Sequence, residues 1–508
     1  MTETHTGIVS LIGAGPGDPA LLTLKAKSCI ESADVVVYDY LASASLLEYA
    51  KPDAEVIYVG KKGGDHTLSQ DKINLLLVEK AKQGLNVARL KGGDPFIFGR
   101  GGEEAQILLS HDVKFEIVPG VTSAVGAPAY AGIPVTHREH TSSVSFITGH
   151  EDPTKADTAM QWDLFAKSNS TLVFLMGVKN LENIVTHLLE NGKSPDTPVA
   201  LVRWGTTTRQ QTVAGQLDNI VQRVREAKLT SPAVIVVGSV VSLRDELQWF
   251  DTLPLFGKTI VITRARAQAS GLVKELAALG ARCIEIPTIK IVPPVDNAPL
   301  EHAIEQITEY EWVVLTSVNG VKHFFDTLFD MGKDVRVLGH LKFACIGPVT
   351  KQTLKEYGIV SDILPSTYQA ESVLEAFADT DIKGKKVLLP RAKKARTILP
   401  EELTRMGAKV DEVVSYETIL DDSQKSELLG MLENQEIDMV TFTSSSTVSN
   451  FMTLLEGMDS SALLEPVSFA SIGPITSDTA AGLGLTIDIE AAEFTIPGLV
   501  DAILKASV

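Results

Sequence analysis

The chain has 508 residues, 44% of them hydrophobic and 22% charged, with a formal net charge of −18. That length is too great for one compact core and fits about three or four structural domains, while the acidic balance and the lack of any Lys/Arg-rich stretch argue against nucleic acid as a partner. Cys29, Cys283 and Cys345 are widely separated and form no CxxC pair, which points away from a disulfide framework or a thiolate metal site and towards a reducing compartment.

The first residues, MTETHTGIVSLIGAG, lack the charged-then-apolar pattern of a signal peptide. The longest apolar run, near Ala233 to Leu243, is too short to span a bilayer. A cytoplasmic protein without a membrane partner is the expectation. Short β-branched runs then alternate with helical patterns: IVSLIGAG, a helix from about Leu21 to Ser32, DVVVYD, EVIYVG and NVARLKGGD. This alternation predicts an α/β fold with largely parallel sheets.

Two glycine-rich segments stand at the ends of strands. GAGPGDPALLTLKA, from Gly13 to Ala26, follows a strand and opens a helix, and its glycines permit a tight turn and close approach of backbone to a ligand. A dinucleotide-binding loop is the competing reading, since Asp39 falls about where a ribose-binding acid would sit; Pro16 interrupts that pattern, however, and Asp18 replaces its last glycine. KGGDPFIFGRGGEE, from Lys91 to Glu104, crowds Gly92, Gly93, Gly99, Gly101 and Gly102 around Asp94, which suits a loop whose backbone touches a cofactor. EIVPGVTSAVGAPAYAGIPVT reads as a connection to a second lobe with strands SVSFITG, STLVFLMG, TPVALVRWG and AVIVVG, and the Pro and Gly of LRDELQWFDTLPLFGKT place the main boundary near Leu253.

Beyond that boundary the chain repeats itself. ITRARAQASGLVKELAALGARCIEIPTI matches LLPRAKKARTILPEELTRMGAKVDEVVSYETI with Arg264 on Arg391, an offset of 127 residues. EWVVLTSVNGVKHFF matches IDMVTFTSSSTVSNFM with Ser317 on Ser444, and FACIGPVTKQTLKEYGI matches FASIGPITSDTAAGLGL, after which Tyr368 falls on Phe494. A duplicated unit of this kind implies two similar lobes with a cleft between them. The loops LTSVNG, FTSSST, CIGPVT and SIGPIT each follow an apolar strand and precede a helix, so their hydroxyls and free backbone N–H groups could form neutral anion cradles as readily as simple helix caps.

Through GAGPGDPALLT, VVYDYL, VGKKGG, LKGGDPFIFGRGGEE, PGVTSA, AGIPVTHRE and FLMG, most of residues 7 to 245 resembles the uroporphyrinogen-III C-methyltransferases of the tetrapyrrole methyltransferase family. The resemblance implies that Pro16, Gly92, Gly93, Asp94, Ile97, Thr122, Ser123, Met176 and Gly205 surround S-adenosylmethionine. It also implies that Asp39 and Lys61 handle protons, and that the protein is a homodimer formed through this half. Arg138 is a candidate for substrate carboxylates, which a guanidinium grips bidentately; His137 beside it reads as a structural histidine. A later corrinoid substrate is the alternative, against which the FIFGRGGEE extension speaks.

The remainder resembles uroporphyrinogen-III synthase through its ITRA start, paired IGPxT loops, FTSSST and SYET. The whole is then expected to be a two-lobed methyltransferase fold over residues 1 to about 250, with lobes dividing near 118, followed by a two-lobed synthase fold. The synthase would have one lobe from about 257 to 290 plus 416 to 508 and another from about 291 to 415. Together the halves would close hydroxymethylbilane to uroporphyrinogen III and methylate that product twice to precorrin-2, with sirohaem and cobalamin both open as end products. The synthase half would need neither metal nor cofactor. Tyr416 is its candidate proton donor, and Arg264, Ser317, Arg391, Ser444 and Thr476 are candidate carboxylate contacts. A rival reading makes this half a tetrapyrrole-binding module without catalysis, because few titratable residues sit in its repeated loops.

Overall fold

The computed structural model describes residues 6–60, 68–149, 160–264, 266–365, 376–377, 380–395 and 397–507. The chain divides into two compact units, residues 1–258 with 277–282, and 259–276 with 283–508. Among the described residues no helix is long and apolar enough to cross a membrane.

The first unit opens with β1 (Ile8–Gly13), β2 (Val35–Tyr38), β3 (Glu55–Tyr58), β4 (Val87–Lys91) and β5 (Lys114–Val118). They form an all-parallel sheet in the order β3-β2-β4-β1-β5. Both faces of a parallel sheet must be covered, so its strands read as continuous apolar runs. Val35 and Val37 enter one buried layer with Leu11 and Leu77, while Val36 enters the other with Ile12 and Ile30. Each such side chain contributes roughly 1.5–3 kcal/mol of burial. Between and after these strands come the helices α1 (Leu24–Ser32), α2 (Gln70–Lys82), α3 (Gly101–Ser110) and α4 (Ser123–Tyr130). The first begins later than its apolar pattern suggests, because the Thr23 hydroxyl accepts the Ala26 N–H at 3.2 Å and caps the helix there.

A second sheet holds β6 (Val144–Thr148), β7 (Thr171–Leu175), β8 (Pro198–Arg203), β9 (Gln211–Gln216) and β10 (Ala233–Val237), in the order β6-β7-β10-β8-β9. Here the expectation of largely parallel pairing fails. Only β6 and β7 run parallel; β10 is antiparallel to β7 and β8, and β8 to β9. The short return through 204–210 takes β8 straight into β9, and so compact a connection can only reverse the chain.

The second unit contains β11 (Thr259–Ile262), β12 (Arg282–Glu285), β13 (Ile289–Val292), β14 (Trp312–Leu315), β15 (Lys342–Cys345), β16 (Lys386–Ala392), β17 (Lys409–Leu420), β18 (Met439–Phe442), β19 (Ser468–Ser471) and β20 (Ile489–Glu490). They make two sheets, β12-β11-β18-β19-β20 and β13-β17-β16-β14-β15. The sequence repeat sets β11 on β16, β12 on β17, β18 on β14 and β19 on β15, so the two sheets have one strand order. Even the edge recurs: Ile489 pairs with Ala470, and Ile363 bridges Ala344 at the matching place. Each sheet packs its own apolar core, around Phe442, Phe451 and Phe469 in one and around Phe324, Phe325 and Phe343 in the other.

Candidate functional site

In a parallel sheet the loops that can host a ligand lie at the carboxyl ends of the strands. In the first unit the turns after β1, β4 and β5 meet there backbone to backbone. Gly15 and Gly93 exchange hydrogen bonds at 3.2 and 2.7 Å. A Cβ on Gly120 would stand 2.4 Å from the Gly93 carbonyl oxygen, so only glycine allows this approach. Asp94 ties the turns together, accepting the Phe96 N–H at 2.8 Å on Oδ1 and the Gly120 N–H at 3.0 Å on Oδ2. Thr122 caps α4 through a 3.3 Å contact with the Ala124 N–H, and Ser123 opens that helix beside Pro16, which packs on Gly126.

The second lobe of this unit supplies the opposite wall. Gly205 lies against α4, where a Cβ would come within 2.3 Å of that of Ala127. The Thr206 hydroxyl accepts the Asp18 N–H at 3.0 Å, and the Tyr130 hydroxyl donates to Asp18 at 2.7 Å. Trp204 meets the ring of Tyr40 edge-on at 5.8 Å and is covered by the Arg209 guanidinium at 4.7 Å. Met176, at the end of β7, is 54% exposed. Phe98, Arg100, Met176, Trp204 and Thr206 all hold left-handed backbone, with φ between 48° and 70°. Such strain is tolerated where surrounding structure fixes a binding surface. Ile97 is half-buried on the same loop as Asp94, and Arg138 is exposed in the turn beyond α4.

Asp39 stands at the carboxyl end of β2, with Gly92 against the turn that follows it. Its Oδ1 accepts the Leu41 N–H at 3.1 Å and its Oδ2 accepts from Arg89 Nη2 at 3.0 Å. Arg89 was not among the residues the sequence singled out, and neither was Glu104, which faces it from α3. The available signal was a charge inside the apolar strand NVARL. Burial pulls the neighbouring Lys91 ammonium below its ordinary value, against the opposing pull of Glu104. Lys61 lies outside the described residues, as does Tyr368.

In the second unit the predicted residues fall at carboxyl ends of parallel strands in both sheets. Ser317 caps the helix Val318–Asp330, and Ser444 caps the helix Ser445–Leu454. Thr476 is buried in the first turn of the helix Pro474–Gly482, and Arg264 is half-buried after β11, where burial lowers its pKa. Tyr416, in β17 and 7% exposed, brings its hydroxyl within 3.0 Å of Ser317 Oγ. That oxygen already accepts the Gly320 N–H at 2.9 Å, so the serine hydrogen is free to point at the phenol. The ring of His323 lies parallel to Tyr416 with centroids 5.8 Å apart, and burial pulls its imidazole below the usual range. The duplicated arginines differ in setting: Arg391 is 4% exposed within β16, with Nε 3.5 Å from Glu412.

Residues 9–221 match the family of Tetrapyrrole (Corrin/Porphyrin) Methylases, and residues 270–501 match Uroporphyrinogen-III synthase HemD. The chain is 38% identical to the Porphyrin biosynthesis protein HemD of Ruminiclostridium josui over 98% of each chain. It is 44% identical to a Uroporphyrinogen-III C-methyltransferase of Bacillus subtilis over 71% of this chain and 74% of that one. An S-adenosyl-L-methionine-dependent uroporphyrinogen III methyltransferase of Methanosarcina barkeri is 54% identical over 47% of this chain and 94% of its own.

Proposed function

The chain belongs to the family that joins a tetrapyrrole methylase to a uroporphyrinogen-III synthase in one polypeptide, and on that basis we propose that it forms uroporphyrinogen III and then methylates it. The observation that carries the methylation reading is the meeting of the turns after β1, β4 and β5 at the carboxyl ends of the parallel strands, with Asp39 at the end of neighbouring β2, Thr122 and Ser123 at the start of α4 and Met176 exposed at the end of β7. That donor set fits an adenosyl amino acid: unhindered backbone for its polar ends and a polarizable wall for its base.

S-adenosylmethionine, when bound, supplies an electrophilic methyl group. Pro16, Gly92, Gly93, Asp94, Ile97, Thr122, Ser123, Met176 and Gly205 hold it. Asp39 faces the pyrrole ring, stabilises the positive charge that alkylation of a ring carbon creates there, and receives the proton subsequently lost. Arg138 takes a substrate carboxylate, and Lys61 is the second proton-handling group.

In the synthase half, Tyr416 donates its phenolic proton to the departing hydroxyl of hydroxymethylbilane while Ser317 supports the phenol oxygen. Ser444, Thr476, Arg264 and Arg391 share the substrate carboxylates with Ser317, and no metal or cofactor takes part. The two activities divide near residue 250. A cytoplasmic homodimer formed through the methylase half completes the proposal.

Incubating the pure protein with hydroxymethylbilane tests both halves. Without S-adenosylmethionine the type III isomer of uroporphyrinogen accumulates; with it, precorrin-2 does. Type I isomer alone would overturn the synthase reading, and type III product left unmethylated would overturn the methylase reading.

A further inference from the structure

One face of β4 carries charges that none of the proposed roles uses. Arg89 and Lys91 are two residues apart and so share that face; they are 2% and 5% exposed, and Glu104, in the first turn of α3, is 0% exposed. Glu104 Oε1 accepts from Lys91 Nζ at 2.7 Å and from Gln70 Nε2 of α2 at 2.9 Å, and lies 3.5 Å from Arg89 Nε. The remaining edges of the guanidinium are also taken. Nη1 donates to the Leu90 carbonyl at 2.9 Å and Nη2 to Asp39 at 3.0 Å.

Nothing in the packing asks for ions at this depth. The residues registered beside Arg89 on β1 and β2 are Leu11 and Val37, both fully buried. An apolar side chain would complete their layer without the several kcal/mol that each buried ion loses in hydration. Among the described residues Arg89 Nε and Glu104 Oε2 even lack a hydrogen-bond partner, which makes the cluster costlier still. Its one product is geometric: a guanidinium placed by Glu104 at Nε and by the Leu90 carbonyl at Nη1, whose third contact is the Asp39 carboxylate.

We propose that Glu104 is a positioning residue for methyl transfer: it balances Lys91 and fixes the Nε edge of Arg89, so that Nη2 sets the orientation of the Asp39 carboxylate. This rests on the reading that Asp39 faces the reacting ring. Removing the Glu104 charge leaves two cations on one buried strand face, and the guanidinium loses the anion at its Nε edge that fixes the angle at which Nη2 meets Asp39.

The test is a double-mutant cycle on the full chain, with turnover of uroporphyrinogen III and calorimetric binding of S-adenosylmethionine as readouts. Glu104→Gln lowers kcat about tenfold or more while cofactor Kd stays within about threefold, and the same substitution costs nothing further in an Asp39→Asn background. A structural role for Glu104 would instead slow both backgrounds equally, and that result overturns the proposal. Should Asp39→Asn alone leave turnover unchanged, the reading of Asp39 fails, and the proposal with it. If Glu104→Gln does not fold, Arg89→Lys serves in its place, since it keeps the charge beside Glu104 but loses the fork that reaches Asp39. Its loss must likewise vanish in the Asp39→Asn background.

Discussion

Asp94→Ala probes the cofactor loop most directly, because the Asp94 side chain accepts two backbone N–H groups from different turns. Hydrogen bonds to an ionised acceptor contribute about 1.5–3 kcal/mol each when buried. Asp94 is only half-buried, so water replaces part of both contacts, and a net loss of about 2 kcal/mol for the pair is reasonable. The folded protein need not feel this fully, since the Gly15–Gly93 bonds and the apolar layers of the sheet remain. Binding does feel it, because the ligand must then order the turns itself. At 1.4 kcal/mol per tenfold, the Kd for S-adenosylmethionine should rise about 30-fold. Isothermal titration calorimetry measures this, with thermal unfolding as the control for global stability. Asp94→Asn should fall between, since its amide oxygen can keep one N–H but its NH2 group faces the other. An Asp94→Ala Kd within about threefold of wild type would refute the argument. So would an equal loss in Asp39→Asn, whose carboxylate engages Arg89 and the Leu41 N–H and none of the three turns.

Gly120→Ala should weaken cofactor binding to a degree similar to Asp94→Ala, since a Cβ 2.4 Å from the Gly93 carbonyl must push two backbones apart, an overpacking cost of about 1–3 kcal/mol; calorimetry with Gly102→Ala, where a Cβ meets nothing within 4 Å, is the comparison. Tyr416→Phe should slow hydroxymethylbilane closure about a hundredfold and raise the type I share of the product, read by isomer separation, and Ser317→Ala should shift the same ratio in the same direction. Ser444→Ala, which removes a hydroxyl that contacts Ser446 and the Thr447 N–H, should raise KM instead. Burial holds the folded pKa of His323 below its ordinary value of 6.5, so the unfolded chain binds the extra proton. Stability of the synthase half should therefore fall as pH drops below about 6.5, and His323→Gln should flatten that slope in urea titrations at pH 7.5 and 5.5.

Much of the fold follows from local pattern. β-branched runs mark the strands, and the internal offsets alone place four strand pairs in register. The glycine-rich segments were readable because only glycine permits the approach of Gly120 to Gly93. What stayed hidden depends on registers that no local pattern contains. Arg89 and Glu104 meet because α3 turns Glu104 towards one face of β4. Tyr416 and Ser317 meet across 99 residues of chain. Arg391 and Arg264 match by repeat yet differ in setting, one within β16 beside Glu412 and the other just past the end of β11. The antiparallel pairing of the second sheet was also invisible, as β-branched runs do not state their direction.

The duplicated unit shows why one of its lobes should carry the acid. At the 127-residue offset Ile286 falls on Val413, each buried in the core of its own sheet, and Tyr416 falls on the half-buried Ile289. The serines Ser317 and Ser444 occupy equivalent helix caps, but among the described residues only Ser317 has a phenol within reach. β17 also differs from β12: it runs for 12 residues against four, and its pairing with β16 shifts register between Arg391 and Ala392. A shift of that kind turns successive side chains to new directions. Tyr416 is the residue registered on Ala392, immediately past the irregularity. The irregularity thus falls where the phenol turns towards Ser317, and the matching position of the other copy, Ile289, carries an apolar side chain that has no proton to give.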